Sequence, residues 1–118
     1  MKTIPLLESF EVINNENGTA LKFPNGIMVC YHRKELNLTF TASGYCYRAT
    51  ITNPFTFPIP FIANPTITAS TANDADYTYC SVVGVIRNKT EISSLTCMKD
   101  TNTNGKVVVH YIAWGNWK

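Results

Sequence analysis

Charge is scarce in this chain. Only 15% of its 118 residues are Asp, Glu, Lys or Arg, against about a quarter in an ordinary soluble domain. The formal balance of +2 includes no basic cluster, so the electrostatic footprint of a nucleic-acid binder is missing. Long apolar runs are missing too: nothing approaches the roughly 20 residues of a membrane helix. Glu8 and Glu11 interrupt any signal-peptide core behind Met1-Lys2-Thr3. Histidine is limited to His32 and His110, and no G-x-S-x-G, H-E-x-x-H or glycine-rich phosphate loop occurs. An enzyme is not expected, nor is a cofactor, a metal, a nucleic-acid partner or a membrane.

No two of the four cysteines, Cys30, Cys46, Cys80 and Cys97, form a C-x-x-C pair, which disfavours a zinc ribbon or a thioredoxin-like motif. An even count permits two disulfides in a secreted protein, but no export signal accompanies them. Three of the four lie in strand-like apolar surroundings, so they are read as reduced, packed side chains. Cys30 and His32 alternate on one strand and share a face. A nucleophile pair there is outweighed by the packed-cysteine reading.

In place of charge the chain has Asn and Thr, which favour strands and polar turns over long surface helices. Thr19-Ala20-Leu21-Lys22-Phe23, the turn Pro24-Asn25-Gly26 and Ile27-Met28-Val29-Cys30-Tyr31-His32-Arg33 make a hairpin. Further strands are expected at residues 36–40, 45–51, 65–70, 77–86, 91–98 and 107–114. Residues 53–61 interleave three prolines with three phenylalanines; this segment reads as an extended connector whose rings plug the core. About eight strands and no helix of normal length predict an all-β antiparallel β-sandwich. Residues 1–16 read as a lead-in arm or linker, and residues 17–118 as the sandwich domain. In the hairpin, Ile27, Val29 and Tyr31 alternate with Met28, Cys30 and His32, and both sets are apolar enough to be at least half buried. One set would face the core and the other a partner chain.

Candidate binding residues come from the loops. Asp74, Asp76 and Tyr77, with Arg87, supply carboxylates, a guanidinium and a ring. Asn116 and Trp117 are a second choice. Rings beside Asn, Asp and Arg suit sugars, which stack C–H faces and accept and donate hydrogen bonds. Asp74 and Asp76 alone fall short of the six to eight oxygen donors of a calcium site.

Two end blocks and a connector carry a family resemblance. Asn17-Gly18-Thr19-Ala20-Leu21-Lys22-Phe23-Pro24-Asn25-Gly26-Ile27-Met28-Val29-Cys30 resembles the N-G-x-x-I-K-F-P-D/N-G hairpin that opens the C-terminal domain of many bacteriophage tail-fibre proteins. Tyr111-Ile112-Ala113-Trp114-Gly115-Asn116-Trp117-Lys118 is similar to their W-I-A-I-G-R-W-K ending, and Phe57-Pro58-Ile59-Pro60-Phe61 with Asn64-Pro65 to their connector. Trp114 replaces a small aliphatic, and Tyr31-His32-Arg33 replaces a Trp-Gly; specificity-determining loops vary in such proteins, so no binding residue is carried over by motif. The resemblance implies a small sandwich like that of the H-type lectins, assembled as a homotrimer at the tip of a virion tail fibre. It further implies synthesis in the host cytoplasm, contacts to other tail-fibre or baseplate segments, and binding of bacterial cell-surface saccharide for host recognition. A structural tail or baseplate protein without glycan binding and a secreted H-type-like lectin are the alternatives.

Overall fold

The computed structural model describes residues 10–72, 80–100 and 105–118. Its organising element is the predicted hairpin. Asn25-Gly26 reverses the chain with Gly26 at φ 97°, and the turn is closed by Phe23 N to Ile27 O at 2.8 Å and Gly26 N to Phe23 O at 3.1 Å. The paired strands are β2 (Gly18–Lys22) and β3 (Ile27–Leu38). Ahead of them, β1 (Glu11–Asn15) turns at Asn15–Gly18 and pairs antiparallel with β2. Part of the expected lead-in is therefore an edge strand, and its free partner was the unpaired side of β2. Gly18 is obligatory: at φ 120° an added Cβ would sit 2.5 Å from the carbonyl oxygen of Tyr31.

The remaining elements are β4 (Thr41–Ser43), β5 (Cys46–Thr56), β6 (Thr66–Ala72), β7 (Ser81–Arg87), β8 (Glu91–Lys99) and β9 (Gly105–Asn116). They form two antiparallel sheets, ordered β1-β2-β3-β9-β6 and β4-β5-β8-β7. The all-β antiparallel fold expected from the sequence is the fold found. Two of its details are corrected by the structure. First, residues 27–38 form one strand, not two, because β9 pairs with it without a break from Ile27 opposite Asn116 to Leu38 opposite Gly105. Charged residues survive in its middle by spreading their stems: the Lys34 ammonium donates to the Pro54 carbonyl at 2.9 Å and lies over the Phe55 ring.

Second, the proline-rich segment is not wholly a connector. β5 continues through Asn53-Pro54-Phe55 by means of a bulge, with the ladder broken between Thr52 and Phe55 and Asn53 at φ 51°. The bulge removes Pro54 from the hydrogen-bonding ladder it cannot serve. The rings do fill the core, since Phe55, Phe57 and Phe61 are all buried. Phe55 and Phe57 meet Tyr111 of β9 at centroid separations of 4.7 and 5.7 Å, and Phe57 stands edge-on to Phe61 at 5.2 Å. Each such ring contributes about 1.5–3 kcal/mol by leaving water. Val107, Val109, Tyr111 and Ala113 of β9, with Met28 and Cys30 of the adjacent β3, face Ile92, Leu95 and Cys97 of β8 in one cluster.

Candidate functional site

The hairpin strand splits its side chains as expected: Met28 and Cys30 are fully buried, while Ile27, Val29 and Tyr31 point outward. Ile27 and Tyr31 are 43% and 44% exposed, more than half covered even in a single chain. Pairing registers carry this outward face across the whole five-stranded sheet. Val12 lies opposite Leu21, Leu21 opposite Val29, Val29 opposite Trp114 and Trp114 opposite Thr66. The next row runs Asn14, Thr19, Tyr31, Ile112 and Thr68, and a third runs Arg33, His110 and Ser70. Apolar side chains dominate the first row, mixed ones the second and polar ones the third.

Where residues 31–33 of β3 lie against residues 110–112 of β9, the surface sinks into an open basin of about 450 Å³ that also reaches Thr19 of β2. The Nε2 of His110 is 3.0 Å from the Ser70 hydroxyl, and the Thr19 hydroxyl donates to the Asn14 side-chain carbonyl. Tyr31 offers a ring face and Ile112 an aliphatic one. Arg33 and His110 offer nitrogen donors above them. This combination suits a sugar ring, which needs one apolar contact and several hydrogen bonds.

The outer face of the four-stranded sheet is different. Its rows are Thr41, Arg48, Met98 and Ser81, then Thr50, Thr96 and Gly84, then Thr52, Ser94 and Ile86. The Thr50 and Thr96 hydroxyls bond each other at 3.1 Å. Hydroxyls dominate these rows, with Ile86 an exposed apolar residue on the edge strand, whereas the first row of the other sheet is apolar across four adjacent strands.

The sequence-predicted residues are only partly placed. Asp74, Asp76 and Tyr77 lie outside the described residues. Arg87 sits at the seam between the sheets, where its Nε donates to the Pro65 carbonyl at 2.8 Å beside a depression of about 220 Å³ shared with Thr66, Ile67 and Val85. Asn116 and Trp117 are at the hairpin end. The Asn116 carbonyl accepts from Ile62 N at 3.0 Å, so Arg87 and Asn116 both anchor the 62–65 connector. Trp117 donates Nε1–H to the Phe23 carbonyl at 2.8 Å, and the ammonium groups of Lys22 and Lys118 lie 4.3 and 5.0 Å from its ring centroid. Its faces are engaged within the chain.

Sequence reasoning did not assemble Tyr31, Arg33, His110 and Ile112. The only signal for them is the register between β3 and β9, which a linear reading does not contain. That register also sets His32 and His110 on opposite faces, since His32 pairs with Tyr111 and Arg33 with His110. Among the described residues no group of three or more His, Cys, Asp or Glu side chains could hold a metal ion. The Cys30 thiol is pushed up to about 11 by burial, against a smaller opposing effect of the Ile59 backbone hydrogen bond. His32, edge-on to Phe55, is held below the usual imidazole value by burial and by the Lys34 charge. Both groups are neutral at pH 7 and packed.

No protein-family model and no curated protein sequence matches this chain. Solved structures do. An N-truncated R1-type pyocin tail fibre aligns over 90% of this chain and 84% of its own, with a TM-score of 0.58 at 14% identity. A P. aeruginosa R1 pyocin fibre comprising C-terminal residues 323–701 aligns over 90% of this chain, with a TM-score of 0.57 at 16% identity. This chain spans 28% of that longer fibre structure. At these identities the likeness is one of fold.

Proposed function

We propose that this chain is the receptor-binding domain of a bacteriophage-type tail fibre: a non-enzymatic adhesin that binds bacterial cell-surface saccharide and works as a homotrimer. The observation that carries the reading is the outer face of the five-stranded sheet, an apolar row grading into a basin rimmed by a ring, a guanidinium and an imidazole. The fold shared with two pyocin tail-fibre structures supports it, as do the hairpin and terminal motifs of tail-fibre domains. Three copies would bury the row of Val12, Leu21, Val29 and Trp114 against one another, with the basin at the rim of the contact. Tyr31, Arg33 and His110 join Asp74, Asp76, Tyr77 and Arg87 as saccharide contacts, with Asn116 and Trp117 after them. In the particle, other tail-fibre or baseplate segments would be its neighbours. It would be made in the host cytoplasm and would act on the virion.

A single shallow site of this kind binds weakly, at about 4 kcal/mol or roughly millimolar. Three sites on one tip raise the effective affinity by about 10² or more. The test is binding of the fluorescently labelled protein to bacterial cells before and after chemical removal of wall polysaccharide. Binding lost on stripping is the expected result. Binding that survives stripping would mean a protein receptor, and binding to no strain would favour a structural tail or baseplate role.

A further inference from the structure

We propose that Cys80 and Cys97 are an oxidisable dithiol, closing to a disulfide when the folded protein meets a peroxide or a low-molecular-weight disulfide. Cys97 lies on β8 directly opposite Val82 of β7, so Cys80 stands two positions along from its cross-strand partner and on the same face. Both side chains pack into the core cluster, close enough for each to be the largest influence on the other's thiol. Diagonal neighbours in a regular ladder are about 7–8 Å apart, beyond the ~5.5–6 Å between Cα atoms that a disulfide prefers. Cys80 precedes the first ladder pair, Ser81 with Met98, so no ladder pair of its own fixes its distance from Cys97.

The two thiols are unequal in a way that suits exchange chemistry. Hydrogen bonding from Cys97 is the largest influence on Cys80 and pulls it below the ordinary thiol value; the Lys99 charge acts in the same direction, against burial. Cys97 is pushed far up by that same bond and by burial. The Lys99 ammonium is buried over the Phe40 ring at 4.2 Å, with no hydrogen-bond partner among the described residues. A thiolate at Cys80 would add its charge to that of Asp100, which already acts on the ammonium. Cys80 is half-buried and Cys97 fully buried, so Cys80 is the attacking sulfur and Cys97 the resolving one. The other two differ: Cys30 belongs to the opposite sheet with its thiol up at about 11, and the Cys46 thiol donates to the Ser43 carbonyl at 3.2 Å.

With hydrogen peroxide, the Cys80 thiolate attacks one oxygen, the O–O bond breaks and the leaving hydroxide takes a proton to become water. The resulting sulfenic acid is attacked by Cys97; the S–S bond forms, the S–O bond breaks, and the Cys97 proton leaves with the second hydroxide as water. Two thiols and one peroxide thus give one disulfide and two waters. A low-molecular-weight disulfide follows the same route through a mixed disulfide and releases two small thiols.

The experiment treats the reduced, folded protein with equimolar hydrogen peroxide, and separately with oxidised glutathione, then counts free thiols after denaturation and maps the cross-linked peptides. The expected product has lost two hydrogens, keeps Cys30 and Cys46 free and joins peptides containing Cys80 and Cys97. Its thermal midpoint should rise on the order of 10 °C. Cys80→Ser and, in parallel, Cys97→Ala should each remove the intramolecular product, and Cys30→Ala with Cys46→Ser should keep it. Because Cys80 is half-buried where Cys97 is fully buried, Cys80→Ser should fold even where Cys97→Ala does not. Four thiols remaining in the folded protein, or any bridge involving Cys30 or Cys46, would overturn the proposal. The outcome is independent of whether the protein binds cells.

Discussion

The indole of Trp117 and the carbonyl of Phe23 are joined by a 2.8 Å hydrogen bond across 94 positions of sequence. Beside it, Trp117 N donates to Gly26 O at 2.9 Å, so the end of the chain clasps the turn of the first hairpin. The added-Cβ position of Gly26 lies 3.1 Å from the Lys118 carbonyl, tighter than ordinary contact and at a φ of 97° that L side chains rarely adopt. Trp117→Phe should keep the ring contacts but leave the Phe23 carbonyl without its donor, costing about 1 kcal/mol. Trp117→Ala should cost more, about 2–3 kcal/mol for a half-buried ring. Urea unfolding followed by circular dichroism measures both. Equal stabilities for wild type and Trp117→Ala would show that the clasp contributes nothing.

Gly18 makes a sharper demand. A methyl group there would collide with the Tyr31 carbonyl oxygen and with Cβ of His32 at 2.8 Å, at a φ that L side chains rarely adopt. Gly18→Ala should destabilise by about 2 kcal/mol or more. The lesion would fall where β1 and β2 meet β3, so β1 should lose hydrogen-exchange protection first.

How far the sequence reaches is clearest at such positions. Asn25-Gly26 between apolar runs identifies a hairpin because all its instructions are local: positive φ, turn residues and period-two alternation. The rings of Phe55, Phe57 and Phe61 declare themselves as core by size alone. The bulge at Asn53 is less legible, because a proline inside a strand reads as a break unless the partner strand is known. The 12-residue span of β3 depends on β9, which starts more than 60 positions later, and charged Arg33-Lys34-Glu35 gives no local sign of it. The basin fails for the same reason: Tyr31 and Arg33 acquire Ile112 and His110 as neighbours only through register. The Asp74–Asp76–Tyr77 cluster remains a sequence expectation.

The basin and the loop give different mutational outcomes. Tyr31→Ala with Arg33→Ala should weaken cell binding about tenfold or more, since two contacts of ~1 kcal/mol are lost at each of several sites. Arg33 is exposed, so its removal alone should change stability by less than about 0.5 kcal/mol. Asp74→Ala with Asp76→Ala tests the loop in the same flow-cytometry assay. If only the loop variant loses binding, the basin is not the saccharide site.

Alkali should destabilise the fold. The Cys30 thiol is raised from 9.0 to about 11 by burial, and burial likewise pushes Tyr111 well above its ordinary value. For both groups the folded state favours the protonated form, so their stabilisation is full below the unfolded-state values. It is lost as the unfolded chain ionises first: for Cys30 this begins near 9.0 and is complete past about 11. Midpoints measured in reductant from pH 8 to 11 should fall, and Cys30→Ala should flatten the fall relative to its own value at pH 8. An unchanged slope in that variant would remove Cys30 from the account.

The proposed homotrimer makes different demands on the two outer faces. Trp114 is 42% exposed on β9, next to the edge strand of the five-stranded sheet, with Val29 on one side and Thr66 on the other. A charge there faces water in a lone chain but would be buried without a counter-charge in a trimer, at a cost of several kcal/mol. Trp114→Lys should therefore leave the circular dichroism spectrum unchanged while lowering the mass in light scattering from three chains to one of 13.2 kDa. Thr50→Lys, on the hydroxyl-lined face where Thr50 meets Thr96, should leave the mass at three chains. The two substitutions add the same charge, so solubility or net charge cannot account for a difference between them. Dissociation by Thr50→Lys instead would move the contact to the four-stranded sheet. A wild-type protein that is monomeric at micromolar concentration would remove the homotrimer altogether, and the apolar row would then need another partner.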